Sequence, residues 1–192
     1  MKNNWMKELL INVLIVVVTF AAVFLLFKYV AGPVRVSGQS MESSFQDGDR
    51  LLDAQLTDIS HFDVVVFDAP DGSGDKYIKR VIGLPGDHIA FKNDVLYLNG
   101  QPYEEPYIDK SLNPTDGPNT FDFDLAQLTG SSQVPEGKAF VMGDNRQNSN
   151  DSRYFGFIDL DQLSEIKYEF WPTDDFGSVP NYEIQSGQIV AE

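Results

Sequence analysis

From Leu9 to Phe27 the chain reads LLINVLIVVVTFAAVFLLF, an apolar run interrupted only by Asn12 and Thr19. Wound as a helix at about 1.5 Å per residue, such a run extends roughly 28 Å, close to the hydrocarbon thickness of a bilayer. Trp5 and Tyr29 fall where interfacial aromatics belong, and Lys7 and Lys28 close the two ends. The run is longer than the apolar part of a cleavable signal, and the KYVAGPVRV that follows offers no small-x-small site. The segment therefore reads as a retained anchor: a cytoplasmic N-terminus over residues 1–8 and a transmembrane helix over 9–29.

Charge divides the chain at the same place. Residues 1–35 carry Lys2, Lys7, Lys28 and Arg35 against Glu8, a net of +3, and the rest holds 10 basic and 28 acidic residues, a net of −18. A domain this acidic repels nucleic-acid phosphates, which disfavours nucleic acid as a partner and leaves solubility as the plain role of the charge. The absence of cysteine removes disulfides and thiolate metal sites. An acidic, cysteine-free domain fits an N-inside, domain-outside arrangement, although the lysines and arginines flanking the apolar run nearly balance.

Gly32-Pro33 ends the helix and opens the polar part. Beyond it the pattern is mainly β. Short β-branched and aromatic runs occur at 63–67, 77–84, 88–91, 95–98, 138–142 and 166–171, and one short helical turn is expected at 159–164. Asp71-Gly72, Pro85-Gly86-Asp87, Asn93-Asp94 and Asn99-Gly100 supply turn chemistry between them, the last reading as a tight hairpin. These features predict antiparallel sheets over 32–100 and 137–175, a loop-rich inserted subdomain over 101–136, and a peripheral tail over 176–192.

Three segments can carry chemistry: VSGQSMESSFQDGD at 36–49, YIKRVIGLPGD at 77–87 and GDNRQNSNDSRYFG at 143–156. Singly, each has a plain structural reading, as a surface turn, a strand and a well-bonded loop. Together, behind an N-terminal anchor and in this order, they resemble the type I signal peptidases of Gram-positive type across nearly the whole chain. The resemblance implies the signal peptidase fold of antiparallel sheets with an inserted subdomain, and a membrane-bound serine endopeptidase that needs no metal or organic cofactor. It also implies cleavage of membrane-tethered preproteins after small-x-small sites at the end of their signal peptides.

By the same resemblance Ser40 is the nucleophile and Lys79 the general base. A serine hydroxyl needs a base, and His61 and His88, the two histidines of the chain, lack a triad context. Lysine serves only when neutral. With a pKa of about 10.4, fewer than about one in a thousand is neutral at pH 7, so burial against apolar groups must lower it. Strand alternation puts Tyr77 and Val81 on the face of Lys79, and Ile78 with Arg80 on the other, which predicts a desolvated lysine beside a solvated or salt-bridged arginine.

Family likeness assigns Ser149 to orienting the lysine, Asp151 and Arg153 to holding local geometry, and Asp144, Asn145 and Arg146 to the surrounding loop. It makes the Ser40 backbone N–H an oxyanion donor; the position two residues earlier is Gly38, as in Gram-positive members. Met41, Phe45, Tyr77 and Ile78 match positions lining the substrate pocket, though plain core packing is the alternative for each. An extended substrate is expected to add as a strand between 34–38 and 76–79.

One departure stands out. The family usually reads Ser-Met-x-Pro-Thr-Leu where this chain has Ser40-Met41-Glu42-Ser43-Ser44-Phe45. Losing proline frees φ beside the nucleophile, and phenylalanine enlarges a pocket residue. An alternative function is therefore a non-catalytic, signal-peptidase-like accessory of pilus or surface-protein assembly. A self-cleaving regulator of the serine–lysine repressor type is disfavoured by the membrane helix and the lack of a DNA-binding segment.

Overall fold

The apolar N-terminal run forms α1, Trp5–Tyr29, in a computed structural model that describes residues 4–29, 31–54, 57–113, 117–172 and 176–191. With no glycine or proline to interrupt it, the helix begins four residues earlier than the apolar pattern alone suggests. Over Trp5–Leu25 its side chains are exposed and its mean hydropathy is 2.6, so it is long and apolar enough to cross a membrane and is packed against no protein core.

The chain then runs through short strands: β1 Ala31–Arg35, β2 Arg50–Ala54, β3 Val64–Asp68, β4 Lys76–Gly83, β5 Ile89–Lys92, β6 Val95–Leu98, β7 Gln101–Tyr103, β8 Phe123–Asp124, β9 Lys138–Met142, β10 Ile158–Asp159, β11 Ser164–Trp171, β12 Gly177–Ser178, β13 Tyr182–Gln185 and β14 Gln188–Ala191. Two short helices, α2 Leu125–Thr129 and α3 Ser152–Phe155, interrupt them. The larger sheet has the order β1-β2-β11-β3-β4-β9-β10, with β12 also on β11, and its pairs are antiparallel.

The VVVF run of β3 lies at the centre of this sheet, buried on both faces. Val64 and Val66 enter one apolar cluster with Met41, Phe45, Leu51, Ile78 and Ile166, while Val65 and Phe67 enter another with Val81, Val141 and Leu163. An unbroken apolar strand is the pattern that two-sided burial selects.

The smaller sheet, β7-β6-β5-β8, begins at Ile89 and closes with Phe123. The expected boundary at residue 101 thus falls inside a sheet, because hairpin pairing joins β6 to β7 across Asn99-Gly100. Both turn residues adopt positive φ, 54° and 80°, as a tight hairpin requires. The turn expected at 159–164 is a single 3-10 turn, Leu160–Gln162. The segment 176–192, expected as a peripheral tail, instead carries β12 and the β13–β14 hairpin over its described residues, and buries Val179 and Ile189 in the two larger clusters. Its polar composition hid the few apolar residues that anchor it.

Candidate active site

Lys79 sits in the middle of β4, where both neighbouring layers exclude water, and is 3% exposed. Its Nζ lies 2.8 Å from Ser40 Oγ, donates to the Ile78 carbonyl at 2.9 Å and stands 5.0 Å from the Tyr77 ring centre. No carboxylate pairs with it in the described residues. Burial therefore lowers its pKa to about 8, opposed by the more distant Asp151 and Asp144 and assisted by Arg153. At pH 7 roughly one such amine in ten is neutral, about two to three hundredfold more than for an ordinary lysine.

Ser40 is held by the chain that follows β1. The Val36 N–H donates to the Asp49 carbonyl and the Gly48 N–H to the Val36 carbonyl, closing a loop over 36–49. Within it, the N–H groups of Ser44 and Phe45 both donate to the Met41 carbonyl. Met41 and Phe45, four residues apart, are both sunk in the core, and Ser40 is half-buried at the surface. The Asn145 N–H donates to the Ser40 carbonyl at 3.0 Å, tying the segment to the third motif.

That motif is a buried ionic network. The Asp151 carboxylate receives Arg153 Nε and Nη2, each at 2.7 Å, and also the Gly143 N–H at 3.0 Å. Arg153 donates further to the Arg146 carbonyl, and Arg146 to the Gly143 carbonyl and to Glu105. Beside it, Arg80 makes a two-point pair with Asp144, through Nε at 2.9 Å and Nη2 at 2.6 Å, and Asp144 also accepts from Ser44 Oγ at 2.5 Å. Arg80 is thus salt-bridged and 1% exposed; the solvated option is excluded. Glycine at 143 is obligatory here, because a Cβ would lie 2.2 Å from Ser149 Oγ and 2.5 Å from the Ser40 carbonyl oxygen.

A groove of about 210 Å³ passes the Ser40–Lys79 pair, lined on one side by Val36, Gly38 and Met41 and on the other by Tyr77, Ile78 and Asn150. β1 is an edge strand, and β4 pairs with β9 only from Arg80 onward, so Lys76–Ile78, paired to β3 on one side, have no described strand partner on the other. Of the four pocket residues read from the sequence, Met41, Tyr77 and Ile78 reach this groove. Phe45 does not: it packs in the core cluster of Leu51, Val64 and Ile166 and borders a separate cavity behind the Ser40 segment. Ser149 also differs from expectation. Its hydroxyl is buried with no hydrogen-bond partner among the described residues, so no bond from it reaches Lys79.

Sequence reasoning missed Glu105, Tyr107 and Ser44. Glu105 and Tyr107 sit in the loop-rich insertion, where no local pattern marks a residue destined to meet Arg146 or Arg80. Among the described residues there is no group of three His, Cys, Asp or Glu side chains placed to hold a metal ion.

Residues 5–170 match the family described as signal peptidase, peptidase S26. The chain belongs to that family. It is 38% identical over 180 residues to a signal peptidase IB of Staphylococcus aureus (strain Mu50 / ATCC 700699), covering 88% of this chain and 93% of the relative. It is 42% identical over 173 residues to a signal peptidase I of Bacillus caldolyticus, covering 85% of this chain and 90% of the relative. A crystal structure of a signal peptidase I from Enterococcus faecalis V583, 38% identical, superposes with a TM-score of 0.53, covering 57% of this chain and 97% of that one. The chain is accordingly a serine-type peptidase of this family with one N-terminal apolar helix suited to anchoring it.

Proposed function

We propose that the protein removes N-terminal signal peptides from exported preproteins, cutting after small-x-small sites with Ser40 as nucleophile and Lys79 as general base. The observation carrying this reading is the 2.8 Å approach of an amine that is 3% exposed to a serine hydroxyl. A neutral amine there can accept the Ser40 proton as the oxygen attacks the scissile carbonyl, and can return it to the departing amine; water then repeats the cycle on the acyl-enzyme. The Ser40 N–H is offered as a donor to the developing oxyanion. Asp151 and Arg153 hold the loop that fixes Gly143 and Asn145 against Ser40, and Ser149 fills the space between that loop and the nucleophile.

The substrate is taken to lie extended between the β1 edge and Lys76–Ile78, its backbone bonded to both, with Met41, Tyr77 and Ile78 walling a shallow pocket that admits small side chains. With the N-terminus cytoplasmic, α1 as a single-pass anchor places the catalytic domain on the extracytoplasmic side of the cell membrane. Anchoring enzyme and preprotein in one bilayer raises their effective concentration.

The accessory reading keeps one specific support. Ser43, where the family usually has proline, has φ of +105°, a conformation that proline cannot adopt. One experiment decides between them: the detergent-solubilised full chain, with Ser40→Ala and Lys79→Ala, is incubated with a preprotein bearing an Ala-x-Ala site. Cleavage by the parent and by neither variant is the expected result. Equal inertness of three folded proteins favours the accessory role instead.

A further inference from the structure

The β13–β14 hairpin lies beyond residue 170, where the family match ends, yet it reaches the interior beside Arg80. Ile189 is buried in the cluster that holds Phe62, Ile82 and Tyr107, and the Tyr182 ring meets the Tyr107 ring edge to face, 5.2 Å between centres and 66° between planes. Both rings close over the guanidinium of Arg80, with Cζ 4.1 Å from the Tyr107 centre and 5.2 Å from the Tyr182 centre. In-plane N–H groups of that guanidinium are engaged by Asp144, by the Phe62 carbonyl and by Ser44. The two rings cover what polar groups cannot, its π face.

We propose that Tyr182, with Tyr107, is a positioning residue that sets the Ser40–Lys79 geometry through Arg80. This rests on the dyad reading above. Two covalent and hydrogen-bonded routes lead from Arg80 to the dyad. Arg80 is the residue after Lys79 on β4, so a shift of its side chain moves the strand that aims the amine. Asp144, its partner, lies between Gly143 and Asn145, and the Asn145 N–H holds the Ser40 carbonyl. Tyr107 adds a third tie, because its carbonyl accepts from Ser43 Oγ at 2.9 Å, three residues past the nucleophile.

Tyr182 does not border the substrate groove. It borders the cavity of about 280 Å³ behind the nucleophile segment, with Ser44, Phe45, Arg80 and Tyr107. Removing the ring opens this cavity to water beside Arg80 while leaving the Asp144 pair in place, so the fold survives but the geometry slackens. Displacements well below an ångström are costly to a reaction that depends on near-attack placement.

The test uses the full chain in detergent with Tyr182→Ala, Tyr182→Leu and Tyr182→Phe, the leucine keeping apolar bulk without an aromatic face. On an Ala-x-Ala preprotein, kcat falls about tenfold in the alanine and leucine variants with KM within about twofold, and phenylalanine retains parental kcat. Titration of Lys79 by NMR of lysine-labelled protein gives a second readout independent of cleavage; the charged groups acting on that amine are Asp151, Asp144 and Arg153. Its midpoint rises in the alanine and leucine variants and stays parental in phenylalanine. Parental kcat and titration in the leucine variant, a rise in KM alone, or a phenylalanine variant as impaired as alanine each overturns the proposal. If the parent itself fails to cleave, the dyad reading falls, and the Lys79 titration alone decides whether Tyr182 acts on this site.

Discussion

Lys79 and Arg80 are consecutive cations on one strand, each almost wholly buried, and they meet opposite fates. On the Arg80 side a carboxylate is in place: burial by itself lowers the arginine pKa, but the charge and hydrogen bonds of Asp144 together with the nearby tyrosines raise it on balance. On the Lys79 side the neighbours are a hydroxyl, a carbonyl and an aromatic ring, and burial brings the amine down to about 8. Burial alone therefore does not decide the state of a buried cation; what it faces does. One face of β4 holds a fixed charge that organises structure, and the other holds an amine able to give up its proton.

Exchanging the chemistry of the first face gives the largest expected effect. Lys79→Arg keeps a cation that cannot be neutralised, so preprotein cleavage falls by about 10⁴-fold or more while the thermal transition of the full chain persists. Parental turnover in that variant breaks the contrast outright. On the second face, Asp144→Asn leaves Arg80 buried without a counter-charge and lowers stability by about 3–5 kcal/mol, read from chemical unfolding in detergent. A loss below about 1 kcal/mol means that Tyr107 and Tyr182 hold the guanidinium without the carboxylate.

The third effect is smaller. With Lys79 proposed as the base, the active amine is the neutral one, so kcat/KM rises about tenfold between pH 7 and 9 and levels off above a midpoint near 8, the value burial gives Lys79. Stability moves in the same direction but in a higher window. The folded-state pKa lies below the unfolded 10.5, so between about 8 and 10.5 the unfolded chain holds the extra proton and stability increases with pH. A flat rate profile between pH 7 and 9 contradicts an unpaired Lys79 as base.

Much of this molecule can be read from local pattern, and the reasons differ by region. α1, β6 and β9 follow from periodicity and turn residues, and the Ser40 and Lys79 motifs from their order along the chain. The insertion and the C-terminal hairpin do not, since their apolar residues are sparse and find partners only across long sequence separations, as Tyr182 does with Tyr107. Phe45 and Ser149 stand between these cases. Sequence places both near the nucleophile, yet which way each side chain points depends on packing around Gly143 and Met41.

By itself the sequence determined that an apolar helix precedes an acidic β domain and that three motifs resembling those of the family follow it in order. These are properties of composition, period and spacing, and they survive without knowledge of contacts. The tertiary structure decided whether Arg80 is solvated or paired, which pocket residues reach the groove, and that residues 182–191 fold back over the interior. Such outcomes depend on which groups arrive beside a side chain from distant parts of the chain, and only those neighbours set its desolvation, its counter-charge and its room to move.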